Sequence, residues 1–265
     1  MQPGLFSFGS PVGQAPYDVG VVMPSLLRPS LFQALSSVFR QDVAGRVQVL
    51  IGVDQFPDDN SGLRMIEAAC RHCPAGWSVQ LLWPGYSTSV RHGGVTAARD
   101  GGALRNILSL MANAPRIAYL DDDNWWRADH LSGLLSAIEG HDWAWSRRWF
   151  VHPRSLRPVC VDQWESVGPD AGIFAERQGG FVDPNCLMID RQRAVDVLTC
   201  WNTPLSGDLT GMTADRHVFQ ALRTRPGRCS ALDSAYYVVR ESDSMHPFRQ
   251  RMMGALWAVA DGWRG

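Results

Sequence analysis

The stretch "RIAYLDDDNWWRADHLSGLLSAI", Arg116 to Ile138, decides the fold. Arg116 to Leu120 reads as a short apolar strand that runs straight into Asp121, Asp122 and Asp123. Beyond Trp125 and Trp126, Asp129 stands where it can cap a helix whose apolar face is Leu131, Leu134, Leu135 and Ile138. A strand that ends on carboxylates and feeds a helix is one unit of an alternating α/β chain.

The same alternation extends upstream. "DVGVVMPS" (Asp18 to Ser25) reads as a buried strand; Pro29 and the spacing of Leu31, Leu35, Val38 and Phe39 predict a helix after it. "RVQVLIGVD" (Arg46 to Asp54) is a second β-branched strand and also ends on a carboxylate. "SVQLLW" (Ser78 to Trp83) is a third, followed by the loop "PGYSTSVRHGG". Leu104, Ile107, Leu108 and Met111 then space as a helix. This pattern implies an α/β fold with a mostly parallel central sheet, helices on both faces, and ligands at the carboxyl ends of the strands. Residues 1–18, rich in Gly, Pro and Ser, read as a loose lead-in.

Downstream of about residue 140 the pattern is less regular. "WAWSRRWFV" (Trp143 to Val151) and "FVDPNCLMI" (Phe181 to Ile189) read as strands, Ala214 to Leu222 as a helix, and Ala235 to Val239 as a strand. A last amphipathic helix near Phe248 to Ala260 is expected to pack on the body or to serve a homodimer.

The chain has 265 residues, 45% hydrophobic and 19% charged, with a net charge of -1. No overall basic field points to nucleic acid as a partner. All 25 basic side chains are arginine, whose planar fork suits phosphate oxygens. No apolar run approaches the roughly 20 residues that span a bilayer, and the N-terminus lacks the pattern of a signal peptide. Cys70 and Cys73 form a lone "CRHC" without a second pair at zinc spacing. A reducing, cytoplasmic setting is expected.

Adjacent carboxylates at a strand end raise each other's pKa unless positive charge sits beside them. A divalent cation bound by oxygen alone, Mg²⁺ or Mn²⁺, supplies such charge. It takes few protein carboxylates and fills its other positions with water and phosphate oxygens. The cluster therefore reads as half of a metal site whose other half is a diphosphate.

Together, "VVMPSLLRPSLFQALSSVFRQ", "VQVLIGVD", "ALRNILSLMANAPRIAYLDDDNWWRADHLSGLLSAI", "GGFVDPNCLMID" and "TADRHVF" resemble the family 2 glycosyltransferases. The resemblance runs from about Val19 to Val239. It implies a GT-A fold, a mostly parallel sheet with a smaller mixed region on the acceptor side. One domain would join a nucleotide-sugar-binding half, 19–140, to an acceptor-binding half, 141–265. It further implies an inverting transfer from a nucleotide sugar, UDP favoured, to a glycan, lipid-linked or small-molecule acceptor.

The resemblance also assigns expected roles. Pro24 and Ser25 would lie against base and ribose, Arg28 would approach the phosphates, and Asp54 would accept an imide N–H of the base. The DxD-type motif falls on Asp121 to Asp123, with Asp123 first among metal ligands and Asp122 expected at the ribose or a metal-bound water. Either Arg105, beside Asn106, or Arg99 would neutralise the nucleotide. Asp215 would be the general base. His246 is a candidate third metal ligand, with Arg249 near it as a phosphate contact. Trp125 is the tryptophan most expected to stack on sugar; Trp143, Trp145 and Trp149 are expected in the core.

The turn "SLLRP" and the Gln55-Phe56 pair after Asp54 depart from the commoner forms of the family. No Gln-x-x-Arg-Trp motif is present, so a processive synthase is not expected. A metal-dependent nucleotidyltransferase would want a Gly-rich loop where "PSLLRPS" stands, and a phosphatase would want its nucleophilic Asp after the first strand, which ends in Pro-Ser. A catalytically inactive nucleotide-binding module of the same fold is the remaining alternative. The presence of Asp54, Asp122, Asp123 and Asp215 together weighs against it.

Overall fold

Runs of Val, Ile and Leu bounded by Gly, Pro and Asp place the strands, and apolar repeats at three and four residues place the helices. A computed structural model describes residues 2–10, 15–56, 60–99 and 101–262. In its first half the elements are β1 (Gly4–Gly9), β2 (Val19–Ser25), α1 (Leu31–Phe39), β3 (Val47–Val53), α2 (Ser61–Cys70), β4 (Ser78–Trp83), α3 (Gly102–Met111) and β5 (Arg116–Tyr119). β4, β3, β2 and β5 lie side by side and parallel, the arrangement that crossover helices impose. Every residue of β2 and β3 is buried, as expected of strands covered on both faces.

Glycines set how closely α3 approaches this sheet. A Cβ at Gly52 would fall 2.9 Å from Leu108 Cδ1, and one at Gly20 would fall 3.2 Å from Ala112 Cβ. The helix therefore lies directly on β2 and β3, and its first turns point Arg105 toward their carboxyl ends.

The second half continues the same sheet. It comprises β6 (Trp125–Trp126), α4 (His130–Ala137), β7 (Trp143–Val151), β8 (Pro158–Val161), β9 (Gly168–Pro169), α5 (Ala175–Gln178), β10 (Gly180–Phe181), β11 (Leu187–Asp190), α6 (Ala214–Leu222), β12 (Gly227–Val238), α7 (His246–Met253) and α8 (Ala255–Gly262). The ten-stranded sheet runs β1-β4-β3-β2-β5-β11-β7-β12-β6, with β8 added at β7. β11 enters antiparallel between β5 and β7, and β7 and β12 pair in parallel. This is the smaller mixed region, continuous with the parallel half.

Four expectations are corrected. The lead-in 1–18 is not loose throughout: Gly4–Gly9 pairs antiparallel with β4 as an edge strand, because Phe6 and Phe8 alternate inward onto the core. Residues 11–14 of that lead-in lie outside the described residues. Phe181 to Ile189 is not one strand: Pro184 starts a 3₁₀ turn, capped by the Asp183 carboxylate accepting from Asn185 N–H, between β10 and β11. Asp129 takes the N-cap position of α4, but its carboxylate pairs with Arg127 instead of capping. The last helix is two, broken at Gly254 with φ 51. These two helices pack on the body through Met253 and Trp257, which join Phe150 and Val239 in a small second core.

Candidate functional site

β5 delivers the acidic turn to the centre of the sheet's carboxyl edge. Leu120 N–H donates to Val22 O at 3.0 Å and Asp121 N–H to Asn185 Oδ1 at 2.7 Å, which fixes the turn against β2 and the β11 approach. The three carboxylates then diverge. Asp121 accepts from Arg105 Nη2 and from Asn185 Nδ2. Asp122, 1% exposed, accepts from Ser25 Oγ at 2.8 Å, from Leu26 N–H at 3.0 Å, and pairs with Arg28 at 3.0 Å. Asp123 Oδ2 accepts from Arg240 Nε at 2.7 Å and Arg240 Nη2, and lies 3.4 Å from Arg28 Nη1.

Three arginines thus meet three aspartates, and the counter-charge expected of a metal is carried by protein. The electrostatics follow. Burial pushes Asp121 up, but Arg105, Asn185 and Arg240 outweigh it and hold the group below the usual carboxylate range. Burial dominates at Asp123, whose pKa is raised despite Arg240, with Asp121 and Asp122 adding to the rise.

Among the described residues, no group of three or more His, Cys, Asp and Glu side chains is arranged to hold a metal ion. His246 does not join the acidic turn: as the first residue of α7 it packs edge-on against Trp257, ring centroids 5.3 Å apart, in the second core. Two atoms do fit a cation that arrives with a diphosphate. The protein donors that reach Asp123 all end on Oδ2, so that among the described residues its Oδ1 is left for a ligand. Arg28 Nε is a buried N–H without an acceptor, on the same wall. A single open carboxylate oxygen suits Mg²⁺ or Mn²⁺ completed by water and phosphate, and does not suit an all-protein cage.

The turn forms one wall of a cleft of about 860 Å³. Pro24, Ser25, Arg28, Asp54, Arg99 and Arg105 line it with Asp121 to Asp123. Asp54 is committed to the loop after β4: Oδ2 accepts from Ser87 Oγ at 2.7 Å and Oδ1 from Thr88 N–H and Oγ1, both at 2.9 Å. It secures this wall as well as facing the cleft. Of the two arginines proposed for one role, Arg105 makes the ion pair with Asp121 and lies 5.1 Å from the Trp201 ring. Arg99 lies beside Gly211, to whose carbonyl its N–H donates at 2.8 Å. Gly101, with φ 79, packs on Pro24, and a Cβ at Gly102 would strike Trp201 O at 2.2 Å, so "GG" at the start of α3 permits the approach.

Asp215, in the first turn of α6, lines the same cleft, its Oδ1 accepting from Arg216 N–H at 2.7 Å. Burial raises its pKa to about 6 against the pull of Arg216. A buried ion network also contributes to the cleft lining. Arg148 donates to Asp162 and Glu165 at 2.8 Å and to Asp183 at 2.5 Å. Arg249 donates twice to Glu165 at 2.8 Å and to Asp243 at 2.6 Å. Arg249 is therefore a strut between α7 and β8's following loop, and its expected phosphate role has no free fork to serve it. Trp125 stacks on Tyr236, centroids 5.5 Å apart, and is not part of the cleft wall. Trp143 is in the core, while Trp145 and Trp149 are half-buried.

Sequence reasoning missed Arg240, Asn185, Asn124 and Trp201. Asn124 Oδ1 accepts from Val238 N–H at 2.9 Å, which ties the acidic turn to the end of β12 and brings Arg240 to Asp123 across 117 positions. "GGFVDPN" held the one available signal, for Asn185; nothing local marks Arg240.

No family model and no curated protein matches the chain. Solved structures do. S. aureus TarS 1-349 in complex with UDP is 16% identical, with TM-score 0.57 over 92% of this chain and 65% of that one. A second S. aureus TarS structure is 14% identical, with TM-score 0.59 over 89% of this chain and 39% of that one. The mannosyltransferase PcManGT from Pyrobaculum calidifontis, in complex with GDP-Man and Mn2+, is 14% identical, with TM-score 0.55 over 92% of this chain and 63% of that one. This chain thus spans less than two thirds of the length of these three structures. The likeness establishes the fold, the GT-A type of the glycosyltransferases, as the resemblance implied.

Proposed function

We propose that this chain is a family 2 type glycosyltransferase, moving a sugar with inversion from a nucleoside diphosphate, a UDP-sugar in first choice, to an acceptor hydroxyl. One observation carries the reading: Asp215, with its pKa raised to about 6, lines the same cleft as three aspartates matched by three arginines. The complexes of TarS with UDP and UDP-GlcNAc, and of PcManGT with GDP-Man and Mn2+, support a nucleotide-sugar donor.

Base and ribose rest against Pro24, Ser25 and the Asp54 wall, with Asp122 near the ribose. The diphosphate faces Arg28, Arg240 and Arg105, donors that stabilise charge as the bond from C1 to phosphate oxygen breaks. Asp123 would hold a divalent cation, Mn²⁺ or Mg²⁺, which would supply Lewis acidity toward that diphosphate. Asp215 takes the acceptor hydroxyl proton while the acceptor oxygen bonds C1 from the face opposite the departing diphosphate. The acceptor class is a glycan, a lipid-linked sugar or a small molecule. Six free cysteines agree with a reducing, cytoplasmic setting. Among the described residues no helix is long and apolar enough to cross a membrane.

The test is a panel of nucleotide sugars with purified protein and Mn²⁺, reading release of nucleoside diphosphate. At least one donor is expected to be consumed, and Asp215→Asn to stop it. A protein that consumes none and binds neither UDP nor GDP refutes the proposal.

A further inference from the structure

The formal charges that line the cleft balance. Eight arginines and eight carboxylates line it, among the described residues. The acidic turn repeats the balance on a smaller scale, with Arg28, Arg105 and Arg240 against Asp121, Asp122 and Asp123. A dication alone would leave such a site at +2, and a diphosphate alone would leave it negative. Together they nearly cancel. In a partly buried site, unbalanced charge of this size is costly.

Arg240 holds the position that decides between these cases. It sits two residues past β12, where Asn124 ties the strand end to the turn. Its guanidinium donates through Nε and Nη2 to Asp123, the carboxylate of the acidic turn that, among the described residues, keeps an open oxygen. Its side chain is 48% exposed, while Arg105 is 8% exposed. Arg240 is therefore free to turn toward a phosphate, whereas Arg105 is confined between Asp121 and Trp201.

We infer that Arg240 is a gate: it neutralises Asp123 in the empty cleft and transfers to the diphosphate when nucleotide binds, so that cation and nucleotide bind strongly only as a pair. The inference rests on the functional reading above. By linkage, the nucleotide raises cation affinity by the same factor as the cation raises nucleotide affinity. Removing Arg240 leaves Asp123, among the described residues, with only the 3.4 Å contact to Arg28, which favours the cation alone and disfavours the nucleotide alone.

The experiment measures free Mn²⁺ by electron paramagnetic resonance, with and without UDP, for wild type, Arg240→Ala and Arg240→Lys. Wild type is expected to bind Mn²⁺ at least about tenfold more tightly with UDP present than without it, within the usual range of coupling between sites. Arg240→Ala is expected to bind Mn²⁺ alone about tenfold more tightly than wild type and to bind UDP without metal more weakly. Arg240→Lys keeps the charge but loses the fork, and is expected to fall between the two. Matching thermal melts in the absence of ligand are expected, because this arginine is half-exposed. If wild type binds Mn²⁺ with UDP but Arg240→Ala shows the same affinity for Mn²⁺ alone, the gate is wrong and the transferase reading stands. If wild type binds no Mn²⁺ even with UDP, the gate and the metal-dependent reading beneath it fail together.

Discussion

At the scale of single residues, the decisive group is Asp215. A carboxylate with a pKa of about 6 is a stronger base than an ordinary surface aspartate and is still ionised at neutral pH. The sign of its pH dependence follows from that: the working form is the deprotonated one, so activity is lost as pH falls through about 6. Initial rates should fall about tenfold per pH unit below that point. Asp215→Asn should cut kcat by about 10²–10⁴-fold and leave UDP affinity nearly unchanged, which kinetics and calorimetry together would read. A variant with wild-type kcat would remove Asp215 from the chemistry. The other residue worth isolating is Asp122, already saturated by Ser25, Leu26 N–H and Arg28. It organises the turn and fixes Arg28 beside it.

At the scale of elements, two devices hold the elements around the cleft in place. The first is the buried network that ties β7 to the loops around Asp162, Glu165 and Asp183 and, through Arg249, to α7. Arg148→Met strands three carboxylates, and should destabilise the fold by about 3–5 kcal/mol in urea unfolding. Equal unfolding midpoints would show that the network does not hold the wall. The second device is the glycine contact under α3. Gly102→Ala sets a Cβ against the Trp201 carbonyl, a backbone atom that cannot swing aside, and should cost about 1–3 kcal/mol. It should also weaken UDP binding, because Arg105 lies one turn away.

These elements also show what a sequence can and cannot disclose. β2, β3, β4, β7 and α6 were readable because burial on both faces or one face imposes an unbroken or periodic apolar pattern, and their observed limits fall within a residue of expectation. β1 was hidden by Gly, Pro and Ser around two inward phenylalanines. Residues of the site were readable where a strand end concentrates charge, as at Asp54 and Asp121 to Asp123. Arg240 and Arg148 were not, since their partners lie far away in sequence and an arginine carries no periodic signal.

At the scale of the whole molecule, one sheet crosses both halves, and the cleft opens along its carboxyl edge. β5 brings the acidic turn, β2 brings Ser25, α3 brings Arg105, the end of β12 brings Arg240, and α6 brings Asp215 to the one cleft. The arrangement answers why like charges crowd one strand end: the fold delivers an arginine to each. The most direct measurement is a crystal structure of the protein grown with UDP and Mn²⁺, with anomalous data to locate the metal. Mn²⁺ is expected on Asp123 Oδ1, a diphosphate oxygen on Arg28 and Arg240, and Arg240 withdrawn from Asp123. A diphosphate bound elsewhere, or an acidic turn that keeps all its arginines with UDP in the cleft, would contradict it.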